Sequence, residues 1–112
     1  SLLDQSNQSV IDLAARLQPS LIEDYPILLP AFLQLTTPKI KDQVDLAIKQ
    51  GATEVSLFPY FLAPGRHMVE DLPLILQDCQ EKHPDVKIEL KAHLALLNNW
   101  EDFLINSFKS IP

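Results

Sequence analysis

Three adjacent residues carry the most usable chemistry in this chain: Gly65, Arg66 and His67. An imidazole can coordinate a metal or move a proton near neutral pH. A guanidinium can hold a carboxylate through two parallel hydrogen bonds. Gly65 is one of only two glycines in the protein, so its presence between Pro64 and Arg66 marks a specific loop. Other candidates are more scattered. His93 lies in the apolar run LKAHLALL and reads either as a hydrogen-bonded structural histidine or as a ligand. Gln34 closes the run ILLPAFLQL, and Lys39 and Lys41 follow it as possible carboxylate contacts. His83 precedes Pro84 at the end of a predicted helix, where a cation suits the helix dipole and no site role is needed.

The elements that must position these residues follow from hydrophobic periodicity. Residues 54–62 read as a strand ending in the aromatic run Phe58, Tyr60, Phe61 and Leu62. Residues 63–67 read as a loop. A helix is predicted from Glu70, with Glu70 and Asp71 in its first turn and Pro73 where a missing N–H does no harm. Leu72, Ile75, Leu76 and Cys79 form its stripe. Upstream, Val10, Leu13, Ala14 and Leu17 mark a helix over residues 4–17 that Pro19 should end. Residues 27–35 read as a buried strand, with Pro30 an awkward member. Thr37-Pro38 looks like a helix start, Ile40, Val44, Ala47 and Ile48 like its stripe, and Gly51 like its C-terminal cap. Residues 86–92 read as a third strand. A last helix follows Asn98 or Asn99, with Glu101 and Asp102 in its first turn and Trp100, Phe103, Leu104, Phe108 and Ile111 as packing residues.

Strands alternating with helices imply an α/β fold: an open parallel sheet, helices on both faces, right-handed crossovers. Such sheets bind ligands at the carboxyl ends of their strands. Gln34, His67 and His93 each follow a predicted strand, so they are expected at one edge. The aromatic residues there could line a cleft, although strand aromatics also serve as core. The chain opens on a helix, and three strands make a thin sheet. A first, central strand is therefore expected to be missing from this sequence.

Composition narrows the function classes. The chain of 112 residues is the size of one domain, and 46% apolar residues make it globular rather than disordered. A net charge of −6 argues against nucleic acid or an anionic membrane surface as partner. A single cysteine, Cys79, cannot form an internal disulfide and fits a reducing cytoplasm, and no zinc-type Cys/His spacing is present. No apolar run is long enough to span a membrane.

The run PYFLAPGRHMVEDLP, residues 59–73, resembles the signature of the CbiX/SirB family, the small class II tetrapyrrole chelatases. The resemblance extends more weakly over nearly the whole chain. It implies a flavodoxin-like half as the fold, and insertion of cobalt, nickel or iron into a sirohydrochlorin-type macrocycle as the activity. The divalent metal is then a substrate, with no organic cofactor. The resemblance makes His67 a metal-binding and catalytic residue. It places AFLQLTTPKI, residues 31–40, on a family segment whose metal-assisting glutamate is replaced here by Gln34, a neutral amide and a poorer ligand. Ser1, Asn7 and Leu13-Ala14-Ala15-Arg16-Leu17 fit the family's first loop and helix. The family's first metal histidine would then precede Ser1 by two residues. Arg66, Gly65, Tyr60, Phe61, Lys39 and His93 are the expected substrate contacts. A homodimer is expected to complete a cleft half-built by one small domain. A homologue that binds tetrapyrrole or metal, or stabilises a partner, without turnover is the competing class.

Overall fold

The computed structural model describes residues 2–33, 36–63 and 65–111, with the backbone alone at residues 2–4 and His67. The chain divides into two compact units, Ser1–Thr53 and Glu54–Pro112.

The first unit holds two helices, α1 (Leu2–Leu21) and α2 (Ile40–Lys49). Pro19 does not end α1, which runs two residues beyond it. The proline lies in the last turn, and both it and Ala15, whose carbonyl loses its usual partner, are exposed, so water can replace that bond. The expected strand over residues 27–35 is not formed by its described part. Residues 27–33 are half-buried but enter only one isolated parallel bridge, Phe32 with Lys39. Pro26 and Pro30 have no N–H to give a ladder. A side-chain amide takes one of the segment's carbonyls instead, Gln43 Nε2 donating to Pro30 (2.7 Å), and just ahead of the segment Gln18 Nε2 donates to Tyr25 and Pro26 (3.1 and 3.3 Å). Gln34 and Leu35 lie outside the described residues.

Thr37 is not the N-cap of α2. The Thr37-Pro38 peptide is cis, and the Pro38 carbonyl accepts from Phe32 N at 2.9 Å, which leaves Lys39 as the capping position. Val44 and Ala47 are the buried residues of α2. Its other end fulfils the expectation. Gly51 has φ +106, its N–H bonds to Ile48 O, and Ala52 N bonds to Ala47 O, both at 3.0 Å. These are the two bonds of a Schellman cap, in a left-handed conformation that glycine adopts without a Cβ penalty.

The second unit contains the sheet. Strands β1 (Glu54–Leu57) and β2 (Lys87–Leu90) pair in parallel, Val55 opposite Ile88 and Leu57 opposite Leu90. Both are shorter than expected but centred within the expected spans. The crossover is α3 (Arg66–Lys82), which packs against β2. Its stripe is as expected: Leu72 and Cys79 are buried, Ile75 and Leu76 half-buried, and Ile88 is buried in the sheet.

Backbone direction within β2 follows from one bond. Lys91 N donates to Leu57 O at 2.8 Å, so Lys87, Glu89 and Lys91 aim their backbone groups at β1, and Ile88 and Leu90 aim theirs outward. The outward carbonyl of Ile88 accepts from Gln80 Nε2 of α3 at 3.0 Å. After β2 come a single 3₁₀ turn, Leu94–Leu96, and α4 (Trp100–Ser110), with Asn99 at its N-cap and Glu101 and Asp102 in its first turn. The expected packing role of α4 holds only in part. Trp100 and Leu104 are half-buried, but Phe103, Phe108 and Ile111 are exposed.

Candidate functional site

The carboxyl edge of the β1–β2 pair gathers the ends of both connections. From Leu57 the chain leaves the ladder and runs through Phe58, buried Pro59, Tyr60, Phe61 and Leu62. Phe58, Tyr60 and Leu62 are about half or more exposed, and Phe61 is 37% exposed. Their exposure sets Phe58, Tyr60, Phe61 and Leu62 apart from the core.

The helix does not wait for Glu70. Gly65 adopts an extended conformation (φ −78, ψ 170) as N-cap, and Val69 N bonds to Gly65 O at 3.2 Å. Arg66 and His67 are therefore the first two helical residues rather than loop residues. Glu70 and Asp71 fall in the second turn, and Pro73 is interior. The exposed positions of Pro73 and Val69 explain why an interior proline is tolerated, because the unpaired Val69 carbonyl can meet water. Gly65 offers no side-chain cap, so the first N–H groups of α3 stay directed at the edge. A Cβ built on Gly65 would meet nothing within 4 Å.

Arg66 is exposed and pairs with Glu70 one turn on, Nε to Oε1 at 3.0 Å. His93 stands three residues past β2, half-buried at the N-cap of the 3₁₀ turn, with its carbonyl accepting from Leu96 N. The structure thus brings Gly65, Arg66, the backbone of His67, and His93 to one sheet edge. Lys39, exposed ahead of α2, belongs to the other unit, and Gln34 is outside the described residues. Among the described residues no group of three or more His, Cys, Asp or Glu side chains is placed to hold a metal ion.

On β2, Glu89 is a perturbed carboxylate. Hydrogen bonds from Lys91 (3.0 Å) and Lys87 (3.1 Å) hold its pKa below the usual carboxylate range.

One feature of α4 goes beyond what the sequence predicts. Trp100 and Phe103 stack with ring centroids 5.9 Å apart and planes at 23°. Their i, i+3 spacing was the available signal, and it was read only as packing.

A family model described as CbiX matches residues 1–110. The chain belongs to the CbiX family. It is 39% identical over 71 residues to the chloroplastic sirohydrochlorin ferrochelatase of Arabidopsis thaliana, which covers 63% of this chain and 32% of that protein. It is 30% identical over 83 residues to the sirohydrochlorin cobaltochelatase of Methanocaldococcus jannaschii, covering 74% of this chain and 57% of that protein. The chain therefore spans from about a fifth to just over half of the length of the curated relatives it matches. Among solved structures it resembles a CbiX protein from Marinobacter aquaeolei VT8 (TM-score 0.68, 23% identity, 88% of this chain and 82% of that one). It also resembles the sirohydrochlorin chelatase SirB from Bacillus subtilis subspecies spizizenii, solved with cobalt (TM-score 0.63, 20% identity, 92% of this chain and 45% of that one). These structures bear out the α/β fold that the strand and helix pattern predicts, in the chelatase form that the resemblance implies. Among the described residues no helix is long and apolar enough to cross a membrane.

Proposed function

We propose that this CbiX-family chain inserts a divalent metal, Co²⁺, Ni²⁺ or Fe²⁺, into a sirohydrochlorin-type tetrapyrrole. The observation that carries this reading is the family match across residues 1–110, including Gly65-Arg66-His67, which open the crossover helix at the carboxyl edge of a parallel sheet. The family match crosses both compact units, which supports treating them as one functional domain.

Insertion exchanges two pyrrole N–H protons for one M²⁺, so the protein must hold the metal, hold the macrocycle and accept protons. His67 is assigned the metal and a share of the proton transfer. Arg66 is assigned a carboxylate of the macrocycle, with Glu70 displaced from it. Gly65, Tyr60, Phe61 and His93 contact the macrocycle from the same edge, and Gln34 and Lys39 are assigned supporting contacts to metal and carboxylate. A second copy of the chain completes the cleft.

The test is anaerobic incubation with sirohydrochlorin and each metal, followed by visible absorbance, for wild type and His67→Ala. Insertion by wild type and none by the variant supports the assignment. Full activity in His67→Ala would place the chemistry elsewhere. Tight binding of macrocycle or metal by wild type without any insertion would favour a binding protein of the same fold.

A further inference from the structure

Arg66 is poorly placed to stabilise the fold. It is the first residue of α3, at the end of a helix dipole that favours anions. Helices α2 and α4 follow the favourable arrangement, with Asp42 in one first turn and Glu101 and Asp102 in the other, whereas the first turn of α3 holds no acidic residue. Its partner Glu70 lies one turn on, so the pair runs in the weaker order, with the cation on the N-terminal side. The contact is a single bond, Nε to Oε1 at 3.0 Å, between side chains 86% and 57% exposed. An exposed contact of that kind adds little to a fold.

The same features make Glu70 easy to displace. Side chains on a helix lean toward its N-terminus, so Glu70 reaches back over the turn that Arg66 opens. A carboxylate arriving from the sheet edge meets more than the guanidinium. It also meets the positive end of the dipole and the first N–H groups of α3, which Gly65 leaves without a side-chain cap. It can pair with the guanidinium through two parallel bonds in place of one. Two carboxylates on one guanidinium repel each other, so the better-held one stays. A neutral acceptor has no such advantage, because charge-assisted hydrogen bonds are roughly twice as strong as neutral ones.

We infer that Glu70 is an internal stand-in for a substrate carboxylate: it holds Arg66 in the free protein, yields it to a free carboxylate of the macrocycle, and keeps it from neutral groups. This rests on the proposed chelatase reading and adds to it a residue that tunes affinity and selectivity without touching the reacting atoms.

The test is anaerobic titration with metal-free sirohydrochlorin, read from the absorbance of the macrocycle at low and at high salt. The proteins are wild type, Glu70→Gln, Arg66→Ala, the double variant Arg66→Ala/Glu70→Gln, and Glu81→Gln. Glu81 is exposed on the same helix and accepts from Gln77 Nε2 at 3.2 Å. It lies three turns beyond Glu70, about 16 Å along the axis, farther than the ~10 Å over which an exposed charge acts at 0.1 M salt. Its variant therefore removes the same charge without reaching Arg66. Glu70→Gln is expected to lower Kd about two- to fivefold at low salt, within the range of an exposed ion pair, and less at high salt. Glu81→Gln should keep the wild-type Kd, and the gain should vanish when Arg66 is already alanine. A Kd raised by Glu70→Gln would make Glu70 an anchor for Arg66 and overturn the inference. A gain that survives in the Arg66→Ala background would reduce Glu70 to general repulsion and overturn it equally. If wild type fails to bind sirohydrochlorin, the chelatase reading and this inference fall together. If wild type binds and Glu70→Gln is silent, only the inference falls.

Discussion

The two glycines of this chain flank β1 in sequence and do opposite work. Gly51, ahead of the strand, is required by the backbone: at φ +106 it closes α2 with two cap bonds. Gly65, behind the strand, is not required by the backbone. Its φ of −78 is open to any residue, and a Cβ there would touch no protein atom within 4 Å. A glycine that the fold does not need, at the edge where open α/β sheets bind ligands, points to close approach by something other than the protein. The loop before β1 serves stability, and the proposed function assigns the loop after it to the ligand.

The sharpest way to break this contrast is His67→Ala. Metal insertion should fall by at least about 100-fold, the usual weight of a positioned acid–base group, with melting temperature unchanged. A large fall in melting temperature would mean that the loop after β1 also carries the fold. Leu72→Ala supplies the converse at the helix between the strands. Leu72 is 5% exposed, so its truncation should cost about 2–5 kcal/mol in denaturant unfolding. Gly51→Ala should cost about 1–2 kcal/mol by forcing a side chain into the left-handed region, while turnover measured below the melting transition stays at the wild-type value. Gly65→Ala should change stability by less than about 1 kcal/mol, as an N-cap exchange does, yet weaken sirohydrochlorin binding. Equal stability losses at the two glycines would erase the comparison.

The smallest effect concerns pH. The Glu89 pKa is lowered in the folded state by Lys91 and then Lys87. Its contribution to stability is thus present above the ordinary carboxylate range and is lost as pH falls through that range to the lowered value. All three partners are substantially exposed, so the acid shift of melting temperature removed by Glu89→Gln should be slight and should shrink further in high salt.

Most of the second unit was legible in the sequence because two periodicities agreed there. The stripe Leu72, Ile75, Leu76, Cys79 named the buried face of α3, and the apolar run at 54–62 and the alternating run at 86–92 named the strands that form over 54–57 and 87–90. The boundaries failed where proline was taken as a full stop. Pro73 suggested a first turn and Pro19 a last residue, but each sits on an exposed face where water takes over the missing bond. Residues 27–33 misled for a different reason. Their apolar run reports half-burial correctly, but Gln43 of the following helix supplies the Pro30 carbonyl with the partner that a ladder would. In the candidate site, the adjacency of Arg66 and His67 was visible at once. On α4, the Trp100–Phe103 stack was not, because spacing alone cannot separate a ring turned to the core from one turned to water.

The amide of Gln80 on the outward carbonyl of Ile88 has a consequence for assembly. β2 lies at the margin of the two-stranded sheet, where open backbone groups invite a further strand from another molecule. A side chain from its own crossover helix already occupies that valence. Docking a foreign strand there would first have to evict Gln80 from the Ile88 carbonyl, so that position gains nothing from a new ladder bond. Sheet extension along β2 is disfavoured at Ile88 by a side chain of the same molecule.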